Sequence, residues 1–309
     1  MTTPLEYFAT LVAEPSGAWG TAGASGASGA SGAALAGEGA AERKSDLPLT
    51  EAAISIAQDV YPRLDLGGVQ SDIDRLAATL KARLPSDAST VHRLRSLNHY
   101  FFKELGFQGN RNDYYDPDNT YLNKVLERRR GIPISLAIVY MEIGEQIGLR
   151  LRGVSFPGHF LVKLSVRSGD IFLDPFTGAS LSREELEERL AQYFEARKLE
   201  VPTELALIPA IQEAAPRDIL VRMLRNLKGI YHDRREFERL LAVQQRLVIL
   251  RPESGEEKRD RGLIYAQLDC PRAALEDLSD YLTRHPDAPE AEEIRRTIAV
   301  LRAANDKLN

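Results

Sequence analysis

The sequence predicts an α+β domain, with N-terminal helices and a small antiparallel sheet, followed by an all-α layer of helical repeats. Three observations support this fold class. Apolar residues recur at helical spacing over much of residues 47–147. Residues 153–164 and 171–174 are β-rich segments on either side of turn residues. The C-terminal part of the sequence repeats with a period of 34 residues.

The first segment of the chain, residues 1–46, is predicted to hold a short helix and a linker. Residues 3–14 carry apolar side chains at helical spacing. Residues 23–32 then repeat Gly-Ala-Ser three times, a composition typical of a flexible linker. Trp19, the only tryptophan, is either a docking anchor for a partner or an incidental exposed aromatic residue, and the second interpretation is favoured.

The second segment, residues 47–198, is predicted to be the α+β domain. Helices are expected over residues 51–60, 69–84 and 88–105. Another helix is expected to begin at Pro133, because proline has no N–H to leave unpaired in a first turn. Residues 134–147 are apolar on nearly every side, so this helix should be buried.

A β-hairpin is predicted after this buried helix. Phe160, Val162 and Leu164 alternate with other residues at strand spacing, and residues 167–170 have turn composition. His159 is therefore expected on the first strand of the hairpin and Asp174 on the second. The two side chains should lie on neighbouring strands, although the sequence does not fix their register.

Four short motifs carry a family resemblance. They are Gly106-Phe-Gln-Gly-Asn110, Tyr114-Tyr-Asp-Pro-Asp118, Arg130-Gly-Ile-Pro133 and Phe156-Pro-Gly-His159, followed by Asp174-Pro-Phe. Together they resemble the transglutaminase-like superfamily, and most closely its bacterial SirB-type regulator-like branch. The resemblance covers about residues 47–186. It implies a papain/transglutaminase-like core, trailing tetratricopeptide repeats, and a site in which a Cys at a helix start, a His and an Asp act together.

The nucleophile that the resemblance implies is missing. Pro133 stands at the position of the family's Cys, and the only cysteine, Cys270, lies far away in the C-terminal part. Thiol chemistry needs a thiolate beside an imidazole, so that mechanism fails on residue type. Ser135 is either a substitute nucleophile activated by His159, or a residue that hydrogen-bonds within its own helical turn; the second interpretation is favoured. His159 is a general base, a structural residue hydrogen-bonded to Asp174, or part of a polar binding pocket, and the last two interpretations together are favoured.

An acidic and aromatic loop precedes the buried helix. It either lines the mouth of a cleft near His159 or is an ordered connector packed on the core. Its candidate binding residues are Tyr114, Tyr115, Asp116 and Asn119. The next helix ends in Arg128, Arg129 and Arg130, which form either an ion-paired helix end or an anion clamp at the rim of the cleft.

The third segment, residues 199–309, is predicted to be helical repeats. Tyr231 and Tyr265 are 34 residues apart, and so are Pro252 and Pro286. A unit of this length that ends in Pro is typical of the tetratricopeptide repeat. Residues 290–307 should form a capping helix. Such a layer either binds a peptide or protein partner or packs on the core domain and stabilises it.

Composition narrows the remaining possibilities. The 309 residues carry a net charge of −5, which favours neither nucleic acid nor a membrane surface as a partner. A single Cys precludes an internal disulfide and fits a reducing cytoplasm. No cofactor or metal is predicted, and the oligomeric state is left open. The expected function is a non-catalytic protein-binding or regulatory module; the alternative is an atypical hydrolase or acyl transferase using Ser135, His159 and Asp174.

Overall fold

The computed structural model describes residues 2–13, 47–199 and 207–305. The predicted Gly/Ala/Ser linker and Trp19 lie outside the described residues, so the predictions made for them stay predictions. The end of the predicted capping helix, after residue 305, lies outside them as well.

Helices form the N-terminal part of the fold. They are α1 (Pro4–Val12), α2 (Leu49–Ser55), α3 (Leu66–Lys81) and α4 (Thr90–Asn98). A 3-10 segment, Ile56–Asp59, prolongs α2, and a π-helical segment, His99–Glu104, prolongs α4. The predicted helices are thus confirmed, with ends that move by no more than three residues. Asp65 and Ser89 cap α3 and α4 by accepting hydrogen bonds from Gly68 N and His92 N.

The buried helix lies at the centre of the domain. A 3-10 turn (Pro117–Asn119) and α5 (Leu122–Arg128) lead into α6 (Pro133–Gln146). Pro133 occupies the first turn of α6, as predicted, and apolar residues on all sides of α6 are buried. Two short strands, β1 (Gln108–Gly109) and β2 (Arg130–Gly131), pair in parallel just before α6.

A four-stranded antiparallel sheet follows α6. Its strands, in spatial order, are β3 (Leu151–Val154), β4 (Leu161–Val166), β5 (Gly169–Asp174) and β6 (Ala179–Leu181). The pairing of β4 with β5 confirms the predicted hairpin, and Asp174 is the last residue of β5.

The expectation that His159 lies on a strand was wrong. His159 lies in the loop between β3 and β4, and the pairing of these strands stops at Val154 and Leu161. Pro157 has no N–H for a ladder, and Gly158 has a φ of +72°, in the left-handed region. These two residues turn the chain, so that His159 N donates to Phe156 O at 3.0 Å instead of to a neighbouring strand.

The remaining helices cover the sheet and form the repeat layer. They are α7 (Arg183–Ala196), α8 (Leu207–Ala210), α9 (Pro216–Asp233), α10 (Phe237–Leu250), α11 (Gly255–Gln267), α12 (Pro271–Arg284) and α13 (Ala291–Asn305). The helix pairs α9–α10 and α11–α12 confirm the two repeats. Ser182 and Glu185 form a capping box at the start of α7.

The first repeat shares a core with the α+β domain. One continuous apolar cluster joins residues of α2 and α6 to Leu220, Leu224 and Leu247 of α9 and α10. Buried residues of α12 and α13 form a second apolar cluster, against which partly buried residues of α11 pack. The first repeat therefore packs on the core domain, as one of the two interpretations expected. The boundary drawn at residue 199 stays a prediction.

The N-terminal helix α1 bridges the two parts. Phe8 is fully buried, and its ring lies 5.2 Å from the guanidinium of Arg246 on α10. Arg246 is itself buried and pairs with Asp59 of the core domain at 2.5 Å. Arg217 of α9 donates to Val12 O at 2.6 Å. Because α1 touches both the core domain and the first repeat, it ties them together.

Replacing Phe8 should therefore weaken the folded protein. We expect Phe8→Ala to lower the free energy of unfolding by about 3 kcal/mol, since it removes a fully buried ring and leaves a cavity. Urea unfolding of the full chain, followed by circular dichroism, measures this change.

Thr10→Ala is the matched control, because Thr10 is exposed on the same helix and its hydroxyl donates to Tyr7 O within that helix. A loss for Phe8→Ala no larger than that for Thr10→Ala would show that α1 does not stabilise the rest of the fold.

Candidate functional site

His159 and Asp174 meet at the edge of the sheet. The β3–β4 loop brings the imidazole to the end of β5, where His159 Nε2 lies 2.8 Å from Asp174 Oδ1. The side chain of Asp174 is only 2% exposed, whereas that of His159 is 23% exposed. The hydrogen bond predicted between them is thus present, with the carboxylate on the inside and the imidazole nearer to solvent.

The Asp174 carboxylate has a full set of partners. Oδ1 also accepts from Phe176 N at 2.9 Å, and Oδ2 accepts from Arg189 Nη1 of α7 at 3.1 Å. Burial by itself would raise the pKa of Asp174. The hydrogen bonds from His159, Phe176 and Arg189 outweigh burial and lower this pKa to about 2. Asp174 is therefore an anion that fixes the orientation of the imidazole.

An aromatic wall continues from the imidazole. The ring of Phe176 lies 6.4 Å from that of His159, and the ring of Tyr114 lies 6.1 Å from Phe176. A Cβ at Gly109 would overlap the Phe176 ring, so this glycine lets the ring rest on β1. Tyr115, which packs on Tyr114, is 71% exposed. Two of the predicted binding residues, Tyr114 and Tyr115, thus extend from His159 toward solvent.

The loop that carries His159 is held by helices from later in the chain. Arg222 of α9 donates from Nη1 to Phe156 O at 3.0 Å and from Nη2 to His159 O at 2.6 Å. Tyr193 of α7 packs over Gly158, where an added Cβ would lie 2.7 Å from the tyrosine ring. The first repeat therefore helps to place the imidazole.

Ser135 lies in the first turn of α6, and its side chain is fully buried. Its Oγ lies 2.6 Å from Asn119 O and 3.1 Å from Ile132 O, and it accepts from Ile132 N at 3.2 Å. Within the described residues, the hydrogen bonds of this hydroxyl all go to backbone atoms. This is the geometry of a residue that caps its own helix, and catalysis by Ser135 stays a prediction.

The rest of the acidic loop is tied down by local bonds. Arg128 bridges the carboxylates of Asp116 and Asp118 at 2.7 and 2.5 Å. The buried side chain of Asn119 donates to Asp113 O at 2.6 Å and accepts from Asn110 at 2.9 Å. Asp116, Asn119 and Arg128 therefore hold the loop that presents the two tyrosines. Ligand contacts by these residues stay a prediction.

The three consecutive arginines point to different places. Arg129 has a φ of 56°, lies 4.6 Å from the Phe107 ring, and lines a separate groove of about 430 Å³ beside α3. Arg130 donates to Gly106 O at 3.0 Å. With Arg128 bound to the acidic loop, the three cations do not converge on one anion. Arg128 is ion-paired at the end of its helix, as one of the two interpretations expected. An anion clamp made by all three arginines has no support from this geometry.

Several residues of the site could not be identified from the sequence alone. Phe176 could have been found, since it completes the Asp-Pro-Phe motif that begins at Asp174. No sequence motif marks Arg189, Tyr193 or Arg222, because they contact the site through the packing of α7 and α9. A single sequence does not give that packing.

The arrangement can hold a ligand or move a proton, because the imidazole is oriented through Nε2 while Nδ1 has no hydrogen-bond partner within the described residues. No group of three or more potential metal ligands occurs among those residues. In the same part of the chain, no helix has both the length and the apolar character needed to cross a membrane.

Two family models match the chain. Residues 68–225 match the model of the transglutaminase-like superfamily, and residues 227–299 match that of the tetratricopeptide repeat. The first match includes His159, Asp174 and Arg222, and the second covers the helices α10–α12 and most of α13.

Similar proteins occur in several bacteria. The UPF0162 protein of Xylella fastidiosa is 40% identical over 250 residues, which cover 81% of this chain and 88% of that protein. The UPF0162 protein YchA of Escherichia coli K12 is 30% identical, over 81% of this chain and 91% of its own. Protein SirB1 of Salmonella typhimurium is 29% identical, over 82% and 93%.

The buried carboxylate gives a prediction about acid stability. We expect Asp174→Asn to lower the free energy of unfolding at pH 7 by about 2 kcal/mol, because the carboxyl pKa falls from 3.8 to about 2 on folding and each pKa unit is worth about 1.4 kcal/mol. The folded-state pKa is the lower one. The contribution is therefore complete above about pH 4 and is lost as the pH falls toward 2.

Chemical unfolding of both proteins between pH 7 and pH 2 measures the difference, with exposed Asp113→Asn as the control. A difference that stayed constant down to pH 2 would contradict the role of the ionised carboxylate.

Proposed function

We propose that this chain, which belongs to the transglutaminase-like superfamily and carries tetratricopeptide repeats, is a regulatory module that binds a partner protein and catalyses no reaction at His159. The combination of a transglutaminase-like core with repeats fits a regulatory module.

The observation that carries the proposal is the residue at the start of α6. Pro133 occupies the first turn there, where the superfamily has its Cys. Proline offers no group that can attack a carbonyl carbon. The nearest hydroxyl in sequence, Ser135 Oγ, is buried and bonded to the backbone of Asn119 and Ile132. The His159–Asp174 pair is thus left as a fixed polar surface beside an aromatic wall.

The repeats supply the surface proposed for a partner. Tetratricopeptide repeats commonly bind proteins. In this chain α9 packs in the apolar cluster of the core domain, whereas the buried residues of α12 and α13 form a second cluster. Ile264 of α11 belongs to the first cluster, so α11 lies between the two. Val300 on α13 is 70% exposed, which places an apolar side chain on the outer helix of the second cluster. We assign partner binding to α11–α13.

The second candidate function is an atypical hydrolase or acyl transferase. The intact bond between His159 and Asp174 favours it, because an oriented imidazole is the base that such an enzyme requires. Ser135 is the hydroxyl proposed to act with this base.

Placing a cysteine at position 133 tests whether the site retains the layout of the superfamily and lacks only its nucleophile. In a Cys270→Ser background, we expect Pro133→Cys to react with iodoacetamide with an apparent pKa below about 8.5, because a helix start favours a thiolate and so does the imidazole that the superfamily layout places beside this position. Adding His159→Ala should raise that apparent pKa. The rate of alkylation against pH is the measurement.

Native protein should give no labelling with a serine-reactive fluorophosphonate. Labelling that disappears in Ser135→Ala would overturn the non-catalytic proposal and support the hydrolase. A thiol at residue 133 whose reactivity does not depend on His159 would contradict the inferred layout of the site.

Photo-crosslinking in cells tests partner binding. A photoreactive amino acid placed at Val300 should capture a defined protein, because this position lies on the proposed surface. The same amino acid at Ala78, which is exposed on α3, should not capture it. Identical adducts from both positions would argue against partner binding through α11–α13.

A further inference from the structure

We infer that a groove beside α9 binds a singly charged carboxylate group at Arg222. The groove has a volume of about 480 Å³ and is lined by Ser155, Glu213, Asp218, Arg222, Arg225 and Arg251, among others. Ala214 N donates to Gly153 O at 2.8 Å, which fixes the wall of the groove beside β3. This inference does not depend on the proposed function.

The charge of Arg222 has no acidic partner within the described residues. Its guanidinium has five N–H donors, and two of its bonds go to the carbonyls of Phe156 and His159. Burial lowers the pKa of Arg222, and the neighbouring ionisable groups that oppose this are the phenols of Tyr114 and Tyr193. The guanidinium also lies 5.7 Å from the centre of the Phe160 ring. A half-buried cation whose described partners are carbonyl groups and an aromatic ring keeps its full charge, so an anion supplied from outside would stabilise it.

The other charges of the groove already have partners. Arg225 donates to Glu257 at 2.9 Å, and Arg251 pairs with Asp218. Glu213 lies 3.6 Å from Arg152 and 3.9 Å from Lys163. Arg222 is therefore the cation of the groove that lacks an acidic partner in the described part of the chain.

The charge balance favours a carboxylate over a phosphate. Three arginines and two carboxylates line the groove, which leaves one positive charge. A single carboxylate neutralises it, whereas a dianionic phosphate would bring a second negative charge close to Glu213 and Asp218. The planar guanidinium also matches the two oxygens of a carboxylate.

Binding of a carboxylate at Arg222 would change the hydrogen bonding of His159. The guanidinium that receives the carboxylate also holds the carbonyl oxygen of His159, at 2.6 Å. A ligand in the groove would therefore change the hydrogen bonds that position the His159 loop. The carboxylate can come from a small molecule or from the end of a peptide, and the probes below distinguish these two sources.

Nuclear magnetic resonance of the full chain, labelled at arginine Nε and at backbone amides, tests the inference. N-acetylglycine should cause saturable shifts at the Arg222 Nε–H and at the amides of Gly158 and His159. N-acetylglycinamide, which is the same size but uncharged, should cause none.

An acetylated trialanine with a free carboxylate is the peptide probe. Binding at least tenfold tighter than that of N-acetylglycine assigns the site to peptide ends, and equal binding assigns it to small carboxylates.

Two variants at Ser155 keep Arg222 intact. Ser155→Glu places an internal carboxylate in the groove and should weaken binding of N-acetylglycine at least tenfold, whereas Ser155→Gln, its uncharged counterpart, should leave it unchanged. Equal shifts from the acid and its amide, no saturable shift, tighter binding of inorganic phosphate, or equal binding by both Ser155 variants would each overturn the inference.

Discussion

The buried carboxylate of Asp174 is the charge on which the candidate site depends. It stands at the end of β5, and the stability of this anion rests on bonds from His159, Phe176 and Arg189. Each donor comes from a different part of the chain: a loop, the turn after β5, and α7. Because an unpaired buried anion is so unfavourable, keeping Asp174 ionised requires all three parts to be in place. The hydrogen bonds to one carboxylate thereby connect the His159 loop, the sheet and the covering helix α7.

The local parts of the fold followed from the sequence. Apolar spacing predicted the helices and the β4–β5 hairpin, and the 34-residue period predicted the paired helices α9–α10 and α11–α12. Apolar alternation places His159 wrongly on a strand, because Pro157 and Gly158 interrupt the pairing of β3 with β4 before His159. His159 and Asp174 were nevertheless expected together, since a hairpin brings such residues close in either case.

The remainder of the site depended on packing between distant segments. Arg222 lies 63 residues after His159 in the chain, and nothing in its sequence surroundings marks it as a contact of the loop. The resemblance to the transglutaminase-like superfamily pointed to the pair and to the missing thiol. It did not show that the first repeat and the core domain share one apolar cluster. Because of that arrangement, the first repeat packs on the core domain and also holds the His159 loop in place.

The position of α1 has a consequence for how the chain tolerates change in length. The side chains of Tyr7 and Glu51 are hydrogen-bonded, and α1 packs against α2, so the described residues before position 14 and after position 46 pack together. The Gly/Ala/Ser composition of residues 23–32 predicts a flexible linker, and the free energy of closing such a linker rises by only about 0.6 kcal/mol for each doubling of its length. Insertions and deletions at this place should therefore be nearly neutral. A segment of low complexity can lengthen there without disturbing the helices that precede and follow it in the chain.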